Sequence, residues 1–585
     1  QRMSVWRQQP AQGSARWISR EFAELLADTG KCRAAPDGIE PAFDVIIVGS
    51  GYGAAIAAAE LAGSGLTICV LERGREFLPG AFPSQLSELP TQVRGSFAGR
   101  TRGGEGLFDL RVGGDVSVVL ANGLGGGSLI NAGVMEIPRD EVFAQLRTPA
   151  DGAGDPVWPA FWREREQRLA VYAEAKRLLG AAERVGDRDE DNSIERHPLH
   201  QAEPLKKTEV LRRMAPSGSF RHAAVTVAMQ DKVTVGGVQL QACKLCGDCA
   251  TGCNYGAKES LDTNLLAAAH RQGAQIYCGA TVLRLQRPPG RLDRWALCVT
   301  HTDADLRQRE GGARWIAARR VILAAGSLGS TEILLRSQRA APELWFSGLL
   351  GQRFSTNGDM IAFGHDYGPR AQANAVADED QLPGERHVGP TITGVIDAVA
   401  EEKDSGIRRP IVIEELAVPG ALRRFTGESV ATAETLHALG DFNRGSHAEG
   451  HPADDPYAVH PQKLTNLSIF AAMGDDGAAG SLRLGAEGER DDSDGHVSVV
   501  WPGVTRLPLF DAQIDRLEAL AKDAKFGGRT LANPMWRLLP PGMDFLIGNQ
   551  RGPLLTVHPL GGCVIGETAA SGVVNEYGEV FDPMA

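Results

Sequence analysis

Gly49-Ser50-Gly51-Tyr52-Gly53-Ala54 fits the pattern G-x-G-x-x-G/A, and Glu72 follows Gly49 by 23 residues. Such a loop binds a dinucleotide for physical reasons. The first glycine makes the turn, the second lets a pyrophosphate approach the backbone, and the helix that follows offers unpaired N–H groups at the positive end of its dipole. An acidic residue about 20 positions on bonds a ribose hydroxyl. A second run, Asn122-Gly123-Leu124-Gly125-Gly126-Gly127-Ser128-Leu129-Ile130-Asn131, carries only one side chain, that of Leu124, between Gly123 and Gly127. Backbone can therefore pass close to a flat ring or a diphosphate, with Ser128 and Asn131 offering hydrogen bonds. A third, Val321-Ile322-Leu323-Ala324-Ala325-Gly326-Ser327, reads as strand, small-residue turn and helix start. Three separate glycine loops suit an extended buried dinucleotide, and together they point to FAD.

The other chemical signal is Cys243-x2-Cys246-x2-Cys249-x3-Cys253. Thiolates at this spacing wrap an iron-sulfur cluster in ferredoxins. Zinc more often takes two separated pairs, and buried thiols or disulfides packing as small apolar groups are a third reading. The iron reading implies electrons passed singly from a flavin to an acceptor protein, with Cys253, Cys278 or Cys298 as the fourth ligand.

The elements that must position these groups are readable in outline. Val45 to Val48, the Ala-rich stretch to Ala62 and Leu66 to Glu72 form strand, helix, strand, a βαβ unit. Leu467 to Met473 and His496 to Trp501 read as strands. Ile514, Leu517, Leu520, Ala521 and Ala524 recur at helical spacing. A short helix is expected around Ser19 to Thr29, and surface insertions at Glu183 to His197, Asp366 to Gly389 and Thr426 to Asp455. The 585 residues, 43% apolar and 23% charged, belong to a globular chain able to bury a sizeable core, and the net charge of −12 argues against nucleic acid as a partner. No window reaches the about 20 apolar residues of a membrane helix. Nothing at the N-terminus reads as a signal peptide, and nine cysteines with four crowded together fit a reducing compartment, so the expected location is the cytoplasm.

Four ordered motifs make the chain resemble the glucose-methanol-choline (GMC) oxidoreductases, in their cholesterol-oxidase-like branch. They are the two glycine loops, Ala325-Gly326-Ser327-Leu328-Gly329-Ser330-Thr331-Glu332, and His558-Pro559-Leu560-Gly561-Gly562-Cys563-Val564-Ile565-Gly566. The likeness runs from about Phe43 to the last residue. It implies an α/β fold: a Rossmann-like FAD domain assembled from separated segments, and a discontinuous substrate domain whose mixed or antiparallel sheet roofs the flavin. The expected division is an N-terminal arm over 1–40, FAD-domain segments at 41–135, 206–345 (with the cysteines) and 550–585, and substrate-domain segments at 136–205 and 346–549. The implied chemistry is oxidation of a small-molecule alcohol, a sterol or another hydrophobic one, by hydride transfer to flavin. By resemblance His558 is the active-site histidine, in a turn stiffened by Pro559, and Gly561 belongs to the cofactor site with Gly326. Ile411-Val412-Ile413-Glu414-Glu415 resembles the strand of the catalytic glutamate, with Glu414 as the expected base. Glu415 points the other way on a strand, and the alternative is two exposed strand-end carboxylates. The resembled family continues beyond a point like Ala585, 27 residues after His558, which implies further sequence or a completing chain. Rival readings are an electron-transfer subunit and an isomerase with a structural flavin.

Overall fold

Val45, Ile46, Ile47 and Val48 are β-branched and unbroken by charge, which suits a strand buried on both faces. In the computed structural model Phe43–Val48 runs through the middle of an eight-stranded sheet. The structure describes residues 17–581 apart from 98–99, 103, 147–153, 186–187, 310, 366, 378–385, 444–463, 465–466, 486–496, 538 and 540–550. From Phe43–Val48 the chain turns at Gly49, forms the helix Tyr52–Leu61 and returns as Ile68–Glu72, parallel to the first strand. Arg314–Leu323 pairs parallel on the other side, and Gln275–Cys278 lies beyond Ile68–Glu72, so chain segments far apart in sequence meet in this sheet. Residues 17–40, expected as a peripheral arm, join it instead. Arg20–Glu21 pairs with Gln275–Cys278, Cys32–Arg33 pairs with Arg314–Leu323, and Phe22 between them is fully buried.

A second sheet has six antiparallel strands in the order Phe220–His222, Gly394–Glu401, Arg408–Glu415, Ser468–Gly474, Met360–His365 and Arg529–Ala532. Strand alternation gives it two unlike faces. Ile396, Ile413, Ala472 and Met360 lie opposite one another on the core face, under the helix Pro508–Asp523. The other face carries, in one row, Arg221, Val395, Glu414, Ala471 and Ile361. The strand Phe220–His222 and the helix Lys206–Met214, inside the expected FAD segment 206–345, belong to this roof.

The expected strands near 467 and 496 are Ser468–Gly474 and Val497–Val500, and the expected helix near 510 is Pro508–Asp523. The short N-terminal helix is Phe22–Leu26. The loop expected at Thr426 to Asp455 is a correction. Arg423–Asn443 is helical, because its alanines, glutamates and leucines form helix well while Val430 and Ala433 find buried places. The rest of that stretch lies outside the described residues, as does part of Asp366 to Gly389. Among the described residues no helix is long and apolar enough to cross a membrane.

Candidate active site

The two glycine loops pack on each other. Gly126 has φ +54°, and a Cβ there would sit 2.9 Å from the Gly51 Cα. Ser50 ties the pair together: its hydroxyl donates to Glu72 at 2.5 Å and accepts from the Gly125 N–H at 3.0 Å. Glu72, at the end of its strand, also accepts from the Gly74 N–H at 2.7 Å, and its burial raises its pKa against those hydrogen bonds. Gly49, at φ +95°, lies where a Cβ would meet the Ala324 carbonyl at 2.5 Å, joining the first loop to the third. At Gly51, Gly53, Gly127 and Gly326, by contrast, a Cβ would meet nothing within 4 Å. The helices Tyr52–Leu61 and Gly326–Ala340 both start there without a side-chain cap. Open space lined by glycine and by uncapped helix starts fits a dinucleotide. Ala54 is buried in the helix against the sheet core. Ser128 and Asn131, expected to meet the ligand, are used within the loop. Ser128 bonds the Gly125 carbonyl and the Leu261 N–H, and Asn131 bonds the Tyr52 hydroxyl and the Gly133 N–H. At Gly561, φ +91°, a Cβ would strike the Arg353 carbonyl, so the backbone there packs closely on a neighbouring strand.

His558 sits in the short link between two strands of different sheets. Leu554–Thr556 pairs with Val116–Ala121, and Leu560–Gly562 with Gln352–Ser355. Its Nδ1 lies 2.8 Å and 3.0 Å from the two carboxylate oxygens of Asp359. Asp359 also accepts from the Thr556 hydroxyl at 2.8 Å and the Val557 N–H at 3.2 Å. The carboxylate draws the proton to Nδ1, and Nε2 has no partner among the described residues. The side chain is about half exposed, so its partial burial works only weakly against the charged ring, and the charge and hydrogen bond of Asp359, with a contribution from Glu414, raise its pKa above the ordinary histidine value. Asp359 stands in a turn that Asp476 secures. Asp476 accepts from the Ser355 hydroxyl, the Thr356 N–H and hydroxyl at 2.7–2.8 Å, and the Gly358 N–H at 3.3 Å. Sequence reading missed both aspartates. The available signal was Ser355-Thr356-Asn357-Gly358-Asp359, a polar turn with positive φ at Asn357 and Gly358 directly after a strand.

Glu414 and Glu415 are both buried, at 5% and 1% exposure, which removes the alternative of two exposed carboxylates. They face opposite ways. Glu415 accepts from Lys207 Nζ at 2.8 Å and from the N–H groups of Thr393 and Gly394 at 3.0 Å and 2.8 Å. The Glu414 carboxyl has no hydrogen bond or ion pair among the described residues. Burial, then the nearby charge of Glu136, push its pKa up to about 8, while His558 and Arg221 pull it down. An unpartnered buried carboxyl within electrostatic reach of a histidine with a bare Nε2 can take, hold and return a proton.

The four cysteines lie beneath the second glycine loop. All are free, and they line one cavity of about 10 Å3 with Lys258, room for about one water. Lys258 donates to the carbonyls of Leu129, Asn131 and Cys249, and burial lowers its pKa to about 8. Burial also pushes the Cys243 and Cys249 thiols up. Among the described residues no group of three or more His, Cys, Asp or Glu is arranged to hold a metal ion, so the residues present do not fit a cluster or a zinc ion.

Residues 43–356 match the family model described as GMC oxidoreductase. A cholesterol oxidase of Acinetobacter baumannii is 27% identical over 325 residues, 54% of this chain and 55% of that protein. One of Mycobacterium tuberculosis is 28% identical over 326 residues, 55% and 53% of the two chains. The chain thus aligns with about half the length of the curated relatives it matches. Among solved structures, pyridoxine 4-oxidase from Mesorbium loti superposes with a TM-score of 0.51 at 14% identity, over 91% of both chains. A formate oxidase variant of Aspergillus oryzae superposes with a TM-score of 0.50 at 13% identity, over 92% of this chain and 91% of that one. These two similarities speak for the fold. Together with the match across more than half of its length, they establish that the chain belongs to the GMC oxidoreductase family.

Proposed function

We propose that this protein binds FAD along the stacked glycine loops and oxidises an alcohol with an apolar body, Glu414 accepting the hydroxyl proton and His558 holding the oxygen. The observation that carries this reading is the Glu414 carboxyl, buried, without a partner, and within electrostatic reach of His558. The FAD cradle is Gly51, Gly53, Gly127 and Gly326 with the two uncapped helix starts, and Glu72 is the acidic group for a ribose. When bound there, FAD supplies the hydride acceptor. Asp359 accepts from the His558 Nδ1–H, fixes the ring in one orientation and favours its charged form, so that the second N–H, at Nε2, donates to the substrate oxygen while Glu414 takes the hydroxyl proton. Glu414 works as a base in its ionised form, which burial confines to the upper part of the pH range.

Substrate class is read from the roof face around Glu414. Val395, Val412, Ala471, Met473 and Ile361 share that face, all apolar and mostly half-buried. They favour a hydrophobic alcohol, in keeping with relatives named cholesterol oxidase and long-chain-alcohol oxidase. The test is anaerobic mixing of the flavin-loaded protein with sterols, long-chain alcohols and small polar alcohols. Flavin absorbance is expected to bleach with the first two classes. Failure to bleach with any alcohol overturns the proposal in favour of an electron-transfer or isomerase role. The thiols offer no metal geometry, and no electron step is assigned to them.

A further inference from the structure

Glu415 does not touch the proposed site. It lies in register with Phe470 and Ala362 on the core face of the roof, the face away from Glu414. It is nevertheless the most heavily bonded carboxylate of that sheet. Its Oε1 accepts from Lys207 Nζ at 2.8 Å, the Thr393 N–H at 3.0 Å, the Thr393 hydroxyl at 2.5 Å and the Thr208 hydroxyl at 3.3 Å, and its Oε2 accepts from the Gly394 N–H at 2.8 Å. Lys207 in turn donates to the Thr393 hydroxyl at 3.1 Å and the Thr391 carbonyl at 3.4 Å. One side chain thus joins the end of Arg408–Glu415, the start of Gly394–Glu401 and the helix Lys206–Met214.

A strand slip of one residue would exchange the two glutamates between faces. Breaking a fully bonded buried ion pair is costly, because the remaining charge is left without compensation. We infer that Glu415, clamped by Lys207, is a positioning residue that fixes the register turning Glu414 toward His558. The inference rests on the proposed role of Glu414. The clamp also acts through charge. The charges acting on Glu414 are Glu136 and, from the opposite face, Glu415, which favour its protonated form, and His558 and Arg221, which favour its ionised form. Glu415 therefore helps to keep a proton on Glu414 near neutral pH, across one peptide unit and without entering the pocket.

The test uses the full chain with flavin bound, titrated first without substrate and then mixed anaerobically with an alcohol that bleaches the wild-type flavin. The infrared band of a protonated carboxyl is titrated against pH and assigned to Glu414 by its disappearance in Glu414→Gln. The wild-type midpoint is expected at about 8. Glu415→Gln removes a negative charge and leaves Lys207 uncompensated, so the midpoint is expected to fall by about one pH unit. Glu415→Asp keeps the charge on a shorter arm, and is expected to hold the wild-type midpoint while flavin reduction slows about fivefold through lost positioning. A Glu415→Gln protein with the wild-type midpoint and wild-type reduction rate overturns the inference. If that variant does not fold, a Glu415→Asp protein reducing flavin at the wild-type rate overturns it equally. Failure of the underlying reading looks different: Glu414→Gln itself would then reduce flavin at the wild-type rate.

Discussion

The glycine floor and the antiparallel roof prepare for their ligands by opposite means. On the floor the decisive groups are absent side chains: at Gly51, Gly53, Gly127 and Gly326 the space of a Cβ is open, and at Gly49 and Gly126 a Cβ would strike backbone. On the roof they are side chains whose surroundings withhold or supply partners. Glu414 has none among the described residues, and Glu415, next in the chain, has several. A floor of this kind discriminates by shape and fails all at once. A roof of this kind discriminates by proton affinity and is tuned in steps.

The sharpest way to break that contrast is at the floor. Gly51→Leu places a side chain where the backbone has nothing beside it, so the chain is expected to fold but to purify colourless. Full flavin content in that variant would remove the cradle. On the roof, His558→Ala is expected to keep its flavin and lower the flavin-reduction rate by about 10² or more, measured by anaerobic stopped flow. Asp359→Asn leaves the ring but not its charge partner. A loss of about tenfold is expected, with the His558 titration moving to lower pH, because Asp359 is what raises that pKa.

Glu414 also leaves a signature in stability. Its pKa is raised in the folded chain to about 8 from an ordinary 4.5, so between these values the native state binds more protons than the unfolded one. Stability therefore falls as pH rises through that window, and the deficit is complete above about 8. Glu414→Gln is expected to be more stable than wild type by about 3 kcal/mol at pH 9 and little different at pH 4, as read by denaturant unfolding. The smallest effect is expected at the thiols. Cys253→Ala should change flavin reduction by less than about twofold, as for a small, half-buried thiol with no assigned part in the chemistry. Iron and acid-labile sulfide in anaerobically purified protein would reverse that expectation.

The floor was legible in the sequence because its information is local. A glycine that must make a turn or admit a close approach announces itself by type, and Gly49 to Ala54 stand beside the strand and helix they connect. For Ser128 and Asn131 the sequence could not show that their polar groups also tie the loop to Leu261 and Tyr52, because those contacts come from distant parts of the chain. On the roof, strand alternation was enough to separate Glu414 from Glu415. What it could not show was that Lys207, 208 positions away, neutralises one and leaves the other bare. Asp359 escaped for the same reason: its partner His558 is 199 residues distant. Residues 17–40 were misread because two short edge strands carry little pattern of their own, and their pairing with Gln275–Cys278 and Arg314–Leu323 is what makes them strands.

Asp476 lies between Ser468–Gly474, a roof strand, and Gly480–Leu484, a strand of another sheet, and from that joint it holds the turn that aims Asp359 at the histidine. The aim of the imidazole is thus inherited from a junction of the scaffold, while the apolar row beside Glu414 is written on alternate positions of separate strands. Val412 and Met473 belong to that row and make none of the hydrogen bonds that hold Asp476, Asp359 and His558. On the proposed reading, exchanging one substrate for another asks for new side chains on the roof rather than for new proton-handling groups.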